Sequence, residues 1–212
     1  MKNYWRKTHQ IYSAKDWINN TTIFAQFAVG YFPKTGKFLD LGAGQGQDSR
    51  YFAKLGYDVT STDISDLALK LSKENADKDG LKIKFIEVDI ADKLPFEDNS
   101  FDIVYSHLAL HYFSDEKTKE IFQEIKRVLK PGGILASLFN TVEDSETTDP
   151  SYKILEKDYY KSPEGLLKRY FSVDYLKEIT SASFVPLILD DKGETYKDEI
   201  KTLIRFVGKN NK

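Results

Sequence analysis

Apolar and polar positions alternate along this chain in two different periods, and the period switches back and forth. "KFLDL" (37–41) is a compact apolar run after Pro33 and Gly36, "YDVTST" (57–62) alternates and is β-branched, and "KIKFIEV" (82–88) sets Ile83 and Phe85, then Ile86 and Val88, against polar neighbours. All three read as strands. "FDIVYS" (101–106) and "ILASLF" (134–139) read the same way, the first after Asn99 and Ser100, the second after Pro131, Gly132 and Gly133.

Between these runs the period lengthens to that of a helix. Residues 47–55 end at Gly56; residues 65–78 follow Ile64, carry Ala68 and Leu71 on one face and end near Gly80. In 115–129, Ile121, Phe122, Ile125, Val128 and Leu129 form one stripe, stopped by Pro131. Strands alternating with helices predict a parallel sheet with helices on both faces, because a right-handed crossover helix is what returns the chain parallel. The fold class is therefore α/β, doubly wound. Near the C-terminus, "FVPLILDDKGETYKDEIKTLIRFVG" reads as two strands turning at Asp191 to Gly193. They bring the strand count to seven and give the sheet a reversed C-terminal hairpin strand.

Two segments lie outside this alternation. Upstream, Trp17, Phe24, Phe27 and Tyr31 follow helical spacing and predict a helix packed on the sheet. Trp5, Arg6 and Tyr12 precede it without a core pattern, so residues 1–33 are expected to form a helical lid or cap. Residues 141–165 are polar with Pro150 and Pro163 and read as a long loop holding one short helix, part of an insertion over 141–172 that contributes to a site. We expect one domain over 1–212, which is within the usual length of a single core.

Composition narrows the chemistry. With 31 Lys and Arg against 33 Asp and Glu the net charge is −2, so no global basic field supports nucleic-acid binding. Absence of cysteine removes disulfides, thiolate metal sites and covalent thiol mechanisms. "MKNYWRKTHQIYSAK" lacks the apolar core of a signal peptide and no run is long enough for a membrane span, so the expected location is cytoplasmic, with no membrane partner.

The chemistry gathers at "FLDLGAGQGQDSRYF" (38–52). A strand, a glycine-rich turn and a helix place backbone N–H groups at the C-terminal edge of the sheet, where open α/β folds bind ligands. The third glycine comes one residue earlier than in the dinucleotide fingerprint, and Gln47 takes its place. About twenty residues on, Asp63 ends the second strand, where a carboxylate can accept from ribose hydroxyls; a helix N-cap is its competing use, for which Ser65 is available. Asp89 ends the third strand beside Ile90, a pair suited to an adenine ring. Together these describe a pocket for an adenosine with something small beyond it.

The ordered set "LDLGAGQGQDSRYFAKLGYDVTSTDIS", "VDIADKLPFEDNSFDIVYSHLALHYF" and "EIKRVLKPGGIL" resembles the motifs of class I S-adenosylmethionine-dependent methyltransferases, particularly the bacterial small-molecule group called methyltransferase type 11. The resemblance covers about 37–140. It implies a Rossmann-like sheet with a reversed last strand, S-adenosyl-L-methionine as cofactor, and methyl transfer to a small-molecule acceptor. It implies Asp40, Gly42, Gly44 and Gly46 around the methionine part, the glycines making room for its carboxypropyl chain. It also implies Asp63, followed by Ile64, for ribose, Asp89 with Ile90 for adenine, and the Ser106 backbone for the methionine end.

Methyl transfer from a sulfonium needs position, desolvation and, for a protonated nucleophile, a base. His107 and His111 in "SHLALHYF" are the candidates for that base, with a hydrogen bond inside the loop as the plainer use of His111. Trp5 and Tyr12 are candidates for the substrate lid. Tyr152, Tyr159, Tyr160 and Tyr170 either line an acceptor pocket or anchor the insertion. No Asn-Pro-Pro-aromatic sequence follows the fourth strand and there is no cysteine, which disfavours DNA-base methylation. Two rivals remain: a cofactor-binding regulatory module without turnover, and a nicotinamide-dependent reductase. Against the reductase stand the early third glycine and the lack of a Tyr-x-x-x-Lys pair.

Overall fold

A computed structural model describes residues 1–195 and 203–212, apart from the side chain of Asp16. The sheet has seven strands in the order β3-β2-β1-β4-β5-β10-β9. β1 (Lys37–Leu41), β2 (Asp58–Asp63), β3 (Lys84–Glu87), β4 (Phe101–His107) and β5 (Leu129–Asn140) are parallel; β10 (Leu203–Asn210) runs antiparallel between β5 and β9 (Phe184–Gly193). The strand order reverses at β1 and β4, so their C-terminal ends diverge into the crevice where such sheets take ligands. The expected turn at Asp191 to Gly193 is instead the end of β9, and Gly193 still pairs with Leu203; the rest of the connection, 196–202, lies outside the described residues.

Alternation along each strand sorts the core into two faces. Leu39, Leu41 and Val104 join Ile121, Phe122, Ile125 and Val128 of α5 (Asp115–Val128) and Leu176 of α6 (Val173–Thr180) on one side. Phe38, Val59, Ile103 and Tyr105 face Phe24, Ala25 and Ala28 of α2 (Ile23–Ala28) and Phe52 of α3 (Gln47–Lys54) on the other. α5 begins at Ser114, whose hydroxyl accepts the Lys117 N–H, and carries Asp115 and Glu116 in its first turn.

Two further expectations need correction. The upstream stripe is not one helix: Trp17 sits in a 3₁₀ turn at Asp16–Asn19, and only Phe24, Phe27 and Tyr31 pack on the sheet. Thr22 interrupts the run because its hydroxyl caps α2, accepting the Ala25 N–H. The residues before it form a helix of their own, α1 (Lys2–Tyr12). The insertion, expected as a loop, folds into a three-stranded antiparallel sheet of β6 (Lys153–Glu156), β7 (Tyr159–Lys161) and β8 (Leu167–Arg169). Arg169, 3% exposed, ties it down by donating from Nε to the Phe113 carbonyl at 3.0 Å and from its guanidinium to Glu156 at 2.6 Å.

Candidate active site

A cavity of about 900 Å³ opens over the C-terminal ends of the parallel strands, near the upper end of the size range for small-molecule sites. Asp40, Gly42, Gly44, Asp63, Ile64, Asp89, Ile90, His107, His111, Trp5 and Tyr12 all face it. The structure thus brings together eleven of the thirteen residues anticipated from sequence. Gly46 and Ser106 stand behind the wall: the Ser106 hydroxyl donates to the Leu41 carbonyl at 2.9 Å and its own carbonyl accepts from Ser137 at 3.1 Å. His107 and Leu108 reach the cavity in place of Ser106. Leu108 adopts φ 55°, a left-handed conformation that costs a leucine and turns the chain sharply out of β4 at the cavity edge.

The glycine loop is built differently from the expectation. Its amides are not free donors: Ala43 N–H is taken by the Thr62 carbonyl at 2.8 Å, Gly44 N–H by Asp63 Oδ2 at 2.9 Å, and Gly46 N–H by the Ala43 carbonyl at 3.0 Å. A pyrophosphate would find neither these donors nor a welcome among Asp40, Asp48 and Asp63. The missing side chains also answer to the protein. A Cβ on Gly42 would lie 2.3 Å from Ala109 Cβ, one on Gly46 1.9 Å from Ser72 Oγ of α4 (Asp66–Lys78), and one on Gly44 3.1 Å from the His9 imidazole. At φ 73°, Gly46 is needed for its backbone conformation as well as for the approach of α4.

The electrostatics single out a ligand sign. Asp40 is buried at the end of β1, and desolvation pushes its carboxyl up to about 8, against the Ser49 hydroxyl that donates to it at 2.6 Å and with repulsion from Asp48 and Asp63. Asp63 is likewise pushed up by burial, held back by the nearby His9 and by N–H groups of Ser65 and Gly44. Asp48 is bound by the Thr22 N–H and hydroxyl and by the Tyr105 hydroxyl, all at 2.7–2.8 Å. Among the described lining residues the one lysine is Lys168, which is bonded to Glu146, and there is no arginine. Carboxylates so placed are stabilised by a bound cation.

On the far side, Lys168, Glu146 and Asn140 bound the cavity together with His107 and His111. His111 is 2% exposed, and its Nδ1 is buried without a hydrogen-bond partner. Burial, then the charges of Lys168 and His107, lower its pKa well below the usual histidine value, so the ring is neutral. β8 fixes this loop, since Arg169 N–H donates to the His111 carbonyl at 2.7 Å.

Sequence reasoning missed His9. In α1 it lies four residues after Trp5 and three before Tyr12, so all three share the inner face of the helix. That spacing was the available signal. The four insertion tyrosines do not face the cavity; Tyr170 donates to Glu146 and Tyr159 packs under Arg169. They anchor the insertion.

Comparison with known proteins agrees with this geometry. Residues 39–137 match the family described as a methyltransferase domain. A sterol 24-C-methyltransferase of Gibberella zeae is 42% identical over 102 residues, covering 46% of this chain and 26% of that protein. A sarcosine/dimethylglycine N-methyltransferase of Aphanothece halophytica is 30% identical over 164 residues, covering 76% of this chain and 53% of that one. The chain therefore spans about a quarter to a half of the length of these relatives. In fold, it matches the Burkholderia thailandensis 1,6-didemethyltoxoflavin-N1-methyltransferase, solved with 1,6-didemethyltoxoflavin and S-adenosylhomocysteine, with a TM-score of 0.75 at 17% identity over 99% of this chain and 85% of that one. Residues 39–137 thus form a methyltransferase domain of the class I S-adenosylmethionine-dependent family.

Proposed function

We propose that the protein transfers a methyl group from S-adenosylmethionine to a small-molecule acceptor bound in the same cavity, on the side of His107 and His111. The observation that carries this reading is the set of buried acids at adjacent strand ends, with no arginine and only one lysine, the Glu146-bonded Lys168, among the described lining residues. The family's cofactor carries an ammonium and a sulfonium, which fit that set, and it supplies a methyl group already activated for displacement. In this reading Asp40 and the glycine loop hold the methionine part, Asp63 and Ile64 the ribose, and Asp89 with Ile90 the adenine. Asp89 is prepared for that use, its Oδ1 fixed by the Ala91 N–H at 2.9 Å.

His107 and His111 then serve the acceptor. His111, a neutral, buried imidazole whose Nδ1 lacks a partner, can accept the proton of a hydroxyl or amine nucleophile as it attacks. Trp5 and Tyr12 close the chamber from above, Trp5 meeting Tyr112 edge-on with ring centroids 5.0 Å apart. The names of the sterol, sarcosine/dimethylglycine and toxoflavin enzymes support a small molecule over a polymer. So does the near-neutral net charge. No described helix is long and apolar enough to cross a membrane. A cytoplasmic setting belongs to the same proposal, and fractionation of cells expressing the tagged chain tests it.

The deciding experiment is incubation with S-adenosylmethionine and a fractionated metabolite extract, reading S-adenosylhomocysteine formation. Turnover that depends on a small-molecule fraction is the expected result. Cofactor binding without turnover in any fraction would favour a regulatory module, and methylation of bulk RNA, DNA or protein alone would overturn the acceptor class. With an acceptor in hand, His107→Ala and His111→Ala are expected to lower kcat about 100-fold for the one acting as base. Wild-type turnover in both variants would remove the histidines from the chemistry.

A further inference from the structure

α1 lies across the nucleoside side of the cavity. Its N-terminal half is tied to that side by Lys2 to Glu87, the last residue of β3, and by Arg6 to Asp66, the first of α4. About one turn beyond these ties the helix turns His9 inward, 6% exposed. Gln45 of the glycine loop fixes the helix at this residue, its side-chain amide donating to the His9 carbonyl at 2.9 Å. The ring rests over Gly44, with Cε1 3.1 Å from the place a Cβ would occupy. It is near enough to Asp63 for the two charges to act on each other.

Both Asp63 oxygens already accept a backbone N–H, from Gly44 and Ser65, so the carboxylate is held with its remaining lone pairs available to the cavity. His9 Nδ1, by contrast, is buried with no hydrogen-bond partner. Leaving a buried polar nitrogen unsatisfied costs free energy that a ligand hydroxyl can recover. His9 lines a cavity whose neighbouring acid is the one suited to a ribose.

We propose that His9 is a cofactor-binding residue: the ribose of the adenosyl group lies between Asp63 and His9, with one hydroxyl on the carboxylate and the other on His9 Nδ1. This rests on the cofactor reading above and adds to it a wall that comes from outside the α/β body. α1 is then completed by the nucleoside, because the hydrogen bond that His9 lacks in the free protein is supplied by the ligand.

The test is calorimetric binding of S-adenosylhomocysteine and of its 2′-deoxy and 3′-deoxy forms to wild type, His9→Ala and His9→Gln. Thermal unfolding of each variant without ligand checks that the fold is kept. The expected result is about a tenfold loss of S-adenosylhomocysteine affinity in His9→Ala, partial rescue by His9→Gln, and little further loss for the one deoxy ligand that lacks the hydroxyl His9 contacts. An unchanged affinity in His9→Ala would overturn the proposal. So would an equal loss for all three ligands, which would make His9 a packing residue of the lid. If wild type bound none of the three, the cofactor reading itself would fall, and this proposal with it.

Discussion

At the scale of single residues, Asp40 is a buried carboxyl strongly at odds with its surroundings. Its carboxyl is raised to about 8 in the folded protein from an ordinary value near 4 in the unfolded chain, so the folded state holds its proton more tightly. Asp40 therefore favours folding at low pH, and that contribution is lost as pH rises through 8. His9 and His111 act oppositely, since their lowered values cost stability as pH falls below about 6.5. The difference between wild type and Asp40→Asn isolates the carboxyl: the variant is expected to melt about 5 °C higher at pH 8, with the gap closing toward pH 4. The same variant is expected to bind S-adenosylhomocysteine at least about tenfold more weakly, a cost of stabilising a binding residue. Two glycines give a second contrast. Gly56 has φ 93° with nothing within 4 Å of an added Cβ, whereas Gly46 adds to its φ of 73° a collision with Ser72. Gly56→Ala should cost about 1 kcal/mol and Gly46→Ala about 3 kcal/mol or more in denaturant unfolding. Asp63 and Asp89 were legible in the sequence because each ends a predicted strand, whereas Asp40 entered only through the family resemblance. What the glycines contact was not legible, because Ser72 and Ala109 are brought to them only by the folded chain.

At the scale of elements, α1 and the β6–β8 sheet are the additions to the common body. The charged ties of α1 are exposed at both partners, and such pairs contribute little. Its amides are expected to exchange with solvent faster than those of β1 and β4 in the free protein, and to slow on addition of S-adenosylhomocysteine; hydrogen exchange reads both. The insertion is held more firmly, through a guanidinium that is 4% exposed in its side chain. Arg169→Met leaves the Phe113 carbonyl with only the long 3.5 Å bond from the Thr118 hydroxyl and should cost about 2 kcal/mol, with weaker acceptor binding because β8 also holds the His111 loop. From sequence, α1 was read only as part of a helical cap over residues 1–33, and β6–β8 were not read as strands. The inner face of α1 is three aromatic rings among polar residues, too narrow for an apolar stripe. β6–β8 are strands of three or four residues, and Lys153, Ile154, Leu155 and Glu156 of β6 are all exposed, so alternation has nothing to record.

At the scale of the whole molecule, the parallel strands, their crossover helices and the reversed β10 were legible, since burial on both faces leaves long apolar runs that no surface segment imitates. The fold leads to one global prediction. Thermal unfolding with S-adenosylhomocysteine at about 100 times its dissociation constant should show roughly 2.7 kcal/mol of stabilisation, and NADH at the same concentration none. A shift with NADH would reopen the reductase reading. The glycine loop and the histidines border the same cavity, with α1 above both. We therefore expect departure of the spent cofactor to wait on a lifting of α1, whatever the acceptor has been, since such movements set the pace of many enzymes. Good acceptors of quite different reactivity should then share one ceiling on turnover, and that ceiling should respond to the length and charge of the first twelve residues.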